Sequence, residues 1–178
     1  RMHTSGTTGS GLLLYCNLRT IHEQWATFWR ARKNMGIKFK DWSASIGGRT
    51  VVPQEQTKPP YWRKNAPGKQ IYFSAYHLNE ASIETYLKEM EKRRLTWIHG
   101  YPSAINIIAQ YMNSTNRKLS YDIKYITTGS ENLLETQRVN IRNAFGVEPY
   151  EHYGQAENVA IFSENKDHKI FVDEDFSA

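Results

Sequence analysis

From residue 71 onward the chain alternates short apolar runs with capped amphipathic segments, and few architectures accept that rhythm. Residues 71–76 (IYFSAY) read as a strand. Asn79 then caps a helix that carries Ile83, Leu87 and Met90 on one face and runs to about Arg94. Residues 95–99 are extended again, Pro102 opens a helix through Met112, and residues 123–127 form another strand. A last helix occupies 133–145, with Gly146 just beyond its end, before 147–152 extends once more. Strands separated by helices of this length cannot pair as hairpins. They pair in parallel through right-handed crossovers, so the expected fold class is α/β with a parallel sheet.

The first half is less regular. Residues 12–15 are a short strand-like run, and Asn17 can cap a helix whose stripe is Leu18, Ile21, Trp25 and Phe28, stopped by Gly36. Those aromatics read as core. The text from 53 to 68, PQEQTKPPYWRKNAPG, holds four prolines and reads as a surface excursion. With 178 residues, 39% of them hydrophobic and 23% charged, the chain suits one ordinary globular domain. No apolar run approaches the roughly 18 to 20 residues of a membrane span, and no secretory leader opens the chain. The single cysteine, Cys16, excludes an internal disulfide, so the expected setting is the reducing cytoplasm. A net charge of +5 with five Trp and eleven Tyr admits a single-stranded nucleic-acid module. The Lys and Arg are dispersed, however, and their local concentrations at 30–33 and 92–94 lie at helix ends, where cations complement the dipole. Such charge suits a nucleotide equally well.

In open parallel sheets ligands sit beyond the carboxyl ends of the strands. Three segments qualify: GYPS at 100–103, TTGSEN at 127–132 and YGQAE at 153–157. A fourth polar segment stands near the start, where residues 4–11 (TSGTTGSG) are only threonine, serine and glycine. It is no Walker loop, because Leu12 stands where the phosphate-binding lysine belongs. Nor is it a dinucleotide fingerprint, because Leu14 replaces the third glycine. What remains is either a flexible tail or a hydroxyl-rich anion nest.

Taken together, TSGTTG at 4–9, TTGSEN at 127–132 and YGQAE at 153–157 resemble the large domain of adenylate-forming enzymes. GYPS and the stretch from TTGSENLLETQR to KIFVDEDF are most similar to the phenylacetate-coenzyme A ligase and CapK-type branch, which includes capsule-biosynthesis members. The resemblance implies that a carboxylate attacks the α-phosphorus of ATP, pyrophosphate leaves, and the acyl group passes to coenzyme A or another acceptor. It places Thr4, Ser5, Gly6, Thr7, Thr8 and Gly9 on the β- and γ-phosphates, and Gly129, Ser130 and Glu131 at the border of the adenine. Tyr153 lies against the adenine face, followed by Gly154, and Glu157 is the catalytic ligand of Mg²⁺. His99, Tyr101 and Ser103 are candidates for the acyl pocket. Residues 1–178 are then the nucleotide-binding core of a longer chain, whose C-terminal lid domain is the expected partner.

Two departures stand out. Gly11 and Leu12 follow the first motif where relatives often carry Pro and a basic or hydroxyl residue, and Ala156 replaces the usual hydroxyl before the glutamate. Losing one oxyanion-type donor costs roughly 2.7 to 4 kcal/mol in a transition state. A catalytically impaired nucleotide-binding relative therefore stays open as an alternative. His3, His99, His152 and His168 show no i, i+4 zinc spacing, and Asp173, Glu174 and Asp175 read as a solvated acidic turn.

Overall fold

The computed structural model describes residues 2–3 and 13–177. In chain order the elements are β1 (Met2–His3), β2 (Leu13–Leu14), α1 (Leu18–Asn34), β3 (Ser43–Gly47), β4 (Trp62–Asn65) and β5 (Gln70–Ser74). A 3-10 turn over Ala75–His77 precedes α2 (Glu80–Arg93), β6 (Trp97–Gly100), α3 (Pro102–Ser114), β7 (Tyr125–Thr128) and α4 (Glu135–Phe145). The chain closes with β8 (Pro149–Gly154), β9 (Ile161–Glu164) and β10 (Ile170–Val172). Two compact units divide it: Lys40–Tyr150, and Arg1–Phe39 with Glu151–Ala178.

In the unit Lys40–Tyr150 the strand order is β7-β6-β3-β5-β4. β3 pairs in parallel with β5 and β6, and β6 with β7, as the helical crossovers require. One face of the sheet is apolar. Ala44, Ile46, Ile71, Phe73, Ile98 and Ile126 join Ile83, Leu87 and Met90 of α2, Ile105, Ile108 and Met112 of α3, and Ile141 and Phe145 of α4 in one buried cluster. Strand alternation sends Ser43, Ser45, Tyr72, Trp97, His99, Tyr125 and Thr127 to the other face. That face is polar and aromatic, yet Ser43, Ser45, Trp97 and Thr127 are buried.

The helix boundaries follow local chemistry. Asn79 accepts from the Ser82 backbone N–H at 3.0 Å, while the Ser82 hydroxyl accepts from the Asn79 N–H at 2.9 Å, a reciprocal cap at the start of α2. Pro102 sits in the first turn of α3, and Gly146 ends α4 with φ 74°. The proline-rich stretch is not purely an excursion, because β4 lies inside it, antiparallel to β5. Trp62 of β4 packs against Phe73 and Tyr86, with ring centroids at 5.9 and 6.1 Å, and this burial holds an edge strand in a segment full of breakers.

In the other unit Asn17 caps α1 by accepting from the Thr20 N–H at 2.8 Å. The expected apolar stripe does not become core. Leu18 and Trp25 are exposed, Ile21 and Phe28 are half-buried, and Thr27 is the helix's buried residue. The aromatics serve a cation instead, since the Arg32 guanidinium lies 5.1 to 5.9 Å from the ring centres of Trp25, Phe28 and Trp29. Burial there pulls its pKa down to about 10. β9 pairs antiparallel with β8 on one side and β10 on the other, so the chain adds two antiparallel strands beyond the parallel run expected up to residue 152. The acidic turn is also engaged, because Arg30 pairs with Asp173 at 2.8 Å and with Asp175. Among the described residues no helix is long and apolar enough to cross a membrane.

One ion pair closes the N-terminal side of the parallel sheet. Glu91 at the end of α2 accepts from Arg117 at 3.1 and 2.8 Å and from the Ser120 N–H at 2.9 Å. Those hydrogen bonds from Arg117 hold its carboxyl below the ordinary value of 4.5. A depressed carboxylate contributes stability that is complete above its unfolded pKa and lost as pH falls through the folded one. Glu91→Gln should therefore cost about 1 to 3 kcal/mol at neutral pH. Its stability should decline less than that of the parent below pH 4.5, as denaturant melts across the acid range will show.

Candidate functional site

The carboxyl ends of β3, β5, β6 and β7 form one rim, and the backbone there is laced across strands. Tyr101 donates its N–H to the Ile46 carbonyl at 2.9 Å, and the Gly129 N–H reaches the Gly100 carbonyl at 3.3 Å. A Cβ on residue 100 would lie 1.9 Å from the Ile46 oxygen, so only glycine allows this approach. The Tyr101 ring then crosses Gly47 and Gly48. A Cβ on Gly47 would stand 3.6 Å from that ring, and one on Gly48 only 2.6 Å from the Tyr101 hydroxyl. Tyr76 donates from its hydroxyl to the Gly48 carbonyl at 3.1 Å. The β3 end is thereby gripped by two tyrosines.

TTGSEN leaves β7 at this rim. Thr128 is buried and its hydroxyl bonds the Tyr150 carbonyl at 3.2 Å. Gly129 is buried as well, and Ser130 turns the chain with φ 67°, a left-handed conformation uncommon outside glycine. The turn exposes Ser130 and Glu131. Glu131 reaches back to the start of α3 and accepts from the Ser103 N–H at 3.2 Å, where the helix dipole favours a carboxylate. The structure thus joins Gly129, Ser130 and Glu131 to Tyr101 and Ser103.

His99 is placed differently. It is half-buried on the polar sheet face, with Nδ1 3.0 Å from the Thr127 hydroxyl, which also accepts from the Trp97 indole at 2.9 Å. Tyr101 and Ser103 stand at the strand end, whereas His99 belongs to the face beneath it.

The rim also contains a histidine that sequence reading does not single out. His77 follows β5, its Nδ1 lies 2.8 Å from the Ser74 hydroxyl, and its ring stacks on Tyr61 at 4.7 Å. Its buried Nε2 has no hydrogen-bond partner among the described residues. A signal for it exists in the chain, because SAYH follows a strand of the same sheet just as GYPS and TTGSEN do.

The third motif lies in the unit of Arg1–Phe39 and Glu151–Ala178. Tyr153 near the end of β8 leaves 45% of its surface exposed, with Phe162 at 5.2 Å and the Gln155 amide donating to its hydroxyl at 3.0 Å. Gly154 and Ala156 are exposed. The turn that follows is pinned by Asn158, buried with φ 55°, which bonds the Gln155 carbonyl at 3.1 Å, the Cys16 sulfur at 3.1 Å and the Gln24 amide. This anchor leaves Glu157 exposed at the turn. Thr4, Ser5, Gly6, Thr7, Thr8 and Gly9 lie outside the described residues. The residues flanking that segment are paired, Met2 with Leu14 and His3 with Leu13.

No protein-family model matches the chain. It is 29% identical to Protein CapK of Staphylococcus aureus over 172 residues, covering 97% of this chain and 38% of that protein. Among solved structures it resembles a malonyl-CoA ligase in ternary product complex with methylmalonyl-CoA and AMP (TM-score 0.57, 18% identity, 88% of this chain and 32% of that one). It also resembles an open 2-hydroxyisobutyryl-CoA ligase in complex with 2-HIB-AMP and CoA (0.56, 13%, 94% and 39%). A third likeness is to a long-chain-fatty-acid-CoA ligase from Archaeoglobus fulgidus (0.51, 17%, 89% and 32%). The chain spans well under half the length of each of these proteins.

The two glycines of the rim separate by substitution. Gly100→Ala should destabilise by about 3 kcal/mol or prevent folding, because the clash is with backbone. Gly48→Ala meets only the tip of a tyrosine, so it should cost less than about 1 kcal/mol while moving the Tyr101 ring. Thermal melts and the fluorescence of the tyrosines will distinguish them.

Proposed function

We propose, from a chain that carries the large-domain fold of the adenylate-forming enzymes and three of their motifs in order, that the protein containing it activates a carboxylic acid with ATP. The products are an acyl-adenylate and pyrophosphate, and the acyl group then passes to coenzyme A or a comparable acceptor. The observation that carries this reading is the placement of TTGSEN. It leaves the parallel sheet beside Gly100 and Tyr101, at the strand ends where such sheets bind ligands. The malonyl-CoA and 2-hydroxyisobutyryl-CoA ligases, solved with AMP or an adenylate and with CoA esters or CoA, support the same reaction class.

The substrate carboxylate is already a nucleophile, so the protein's work is to align two anions and offset charge on the phosphates. No serine nucleophile or histidine base is needed for the first step. Thr4, Ser5, Gly6, Thr7, Thr8 and Gly9 hold the β- and γ-phosphates through hydroxyls and backbone N–H groups. Gly129, Ser130 and Glu131 border the adenine, and the half-exposed Tyr153 ring stacks on its face with Gly154 beside it. Tyr101 and Ser103, with His99 beneath them, line the side that receives the acid. A lid domain beyond these residues completes the site.

Glu157 fits a magnesium site of this kind. Its carboxylate is exposed on a turn that Asn158 pins in place. A single carboxylate suits Mg²⁺, which takes its remaining oxygens from phosphate and water. When bound, the ion offsets charge building on the phosphate oxygens.

Glu157→Gln keeps the shape and removes the charge. Adenylation should fall by on the order of 100-fold, with kcat reduced more than ATP affinity, and added Mg²⁺ should restore part of it. Stability should change by less than about 0.5 kcal/mol. Steady-state adenylation against Mg²⁺ concentration is the measurement, and superimposable curves for parent and variant would remove Glu157 from the metal. A relative impaired by Ala156 would instead bind ATP and form no AMP before any substitution is made.

A further inference from the structure

The turn that carries Glu157 is fastened through a single side chain. Asn158 keeps only 9% of its surface exposed and adopts φ 55°, a left-handed conformation that asparagine tolerates better than most residues. Its backbone N–H closes the turn on the Gln155 carbonyl at 3.1 Å. Both halves of its side-chain amide are used: the oxygen accepts from the Gln24 amide of α1, and the nitrogen donates to the Cys16 sulfur at 3.1 Å. A buried amide held at both ends has one position open to it, because turning it away would leave polar atoms without partners.

The two partners belong to the stretch of chain that follows the first motif. Cys16 lies between β2 and α1, just ahead of the Asn17 cap, and Gln24 lies one turn before Phe28 on the same face of α1. Phe28 meets the strand that leads into the turn: its ring lies 5.2 Å from that of His152, and a Cβ on Gly154 would stand 3.7 Å from it. One face of α1 thus supports β8 through Phe28 and the turn beyond it through Gln24. We infer that Gln24 and Cys16 are positioning residues for Glu157, acting through Asn158, so that the segment following TSGTTG sets where the carboxylate of YGQAE stands. This rests on Glu157 being the magnesium ligand, as proposed above. A carboxylate on an untethered turn would have to be ordered by the metal. On a tethered turn it is already in place, so the ion binds without first fixing the backbone.

The test reads metal binding rather than turnover. Mn²⁺ stands in for Mg²⁺, and its affinity for the full-length protein is measured by electron paramagnetic resonance with α,β-methylene-ATP, whose α–β bridge cannot be cleaved. Gln24→Ala and Cys16→Ala each remove one tether without touching the backbone of the turn. Gln24→Ala should weaken Mn²⁺ binding by about tenfold, and Cys16→Ala, which removes the weaker sulfur acceptor, by less. Cys16→Ser keeps an acceptor and should bind Mn²⁺ as the parent does. Nucleotide affinity without metal and the circular-dichroism melts should match those of the parent. In a Glu157→Gln background Gln24→Ala should have no further effect, since it acts through that carboxylate. Parent-like Mn²⁺ affinity in either alanine variant, with Glu157→Gln weakened, would overturn the inference alone. So would a Gln24→Ala loss that persists in the Glu157→Gln background. Mn²⁺ binding that is absent from the parent, or unmoved by Glu157→Gln, would overturn the metal assignment and the inference together.

Discussion

The carbonyl of Ile46 occupies the place that any side chain on residue 100 would need, and this close approach organises the ligand-bearing end of the sheet. It lets β6 run beside β3 to its last residue, so that Tyr101 can bond the same carbonyl and lay its ring across Gly47 and Gly48. With β6 fixed, α3 starts at Pro102, and the Ser103 N–H that follows meets Glu131 of the turn after β7. Two glycine-containing strand ends and one carboxylate thus set the spacing of GYPS and TTGSEN. The apolar side of the sheet does the opposite work. It is a continuous layer of isoleucine and phenylalanine against three helices, and it supplies rigidity without chemistry.

That division explains which elements are legible in the chain. α2, α3 and α4 carry their own signals: a reciprocal Asn79–Ser82 cap, a proline at a helix start and a glycine past a helix end. Their buried residues fall on the faces that periodicity selects, Ile83, Leu87 and Met90 among them. The central strand β3 is illegible, because the alternation in Ser-Ala-Ser-Ile-Gly is carried by small residues, with Ile46 its single large apolar side chain. Its small residues are what a strand needs when neighbours and a tyrosine ring press on it from both sides, and no local pattern records that pressure. β4 is hidden for a related reason: Trp62 holds its strand by burial against Phe73 and Tyr86, contacts made across the sequence.

The site divides along similar lines. The rule that ligands gather beyond parallel strands points to GYPS and TTGSEN, and those segments do converge at one rim. Applied to β5, the rule also selects Ser74 and His77, which share that rim. α1 misleads for a physical reason, since its aromatic stripe at helical spacing matches a core face, yet Trp25, Phe28 and Trp29 gather around Arg32. Periodicity finds the side on which large rings cluster and cannot say whether hydrocarbon or a cation meets them.

If the rim and the two flanking motifs serve adenylation, ATP must be cleaved between its α- and β-phosphates only when an acid is present. Exchange of labelled pyrophosphate into ATP measures that step without regard to the final acceptor. Across a panel of aryl, fatty and hydroxy acids, the exchange is expected to depend on at least one acid and on Mg²⁺. ATP binding without exchange for any acid would contradict an adenylating function.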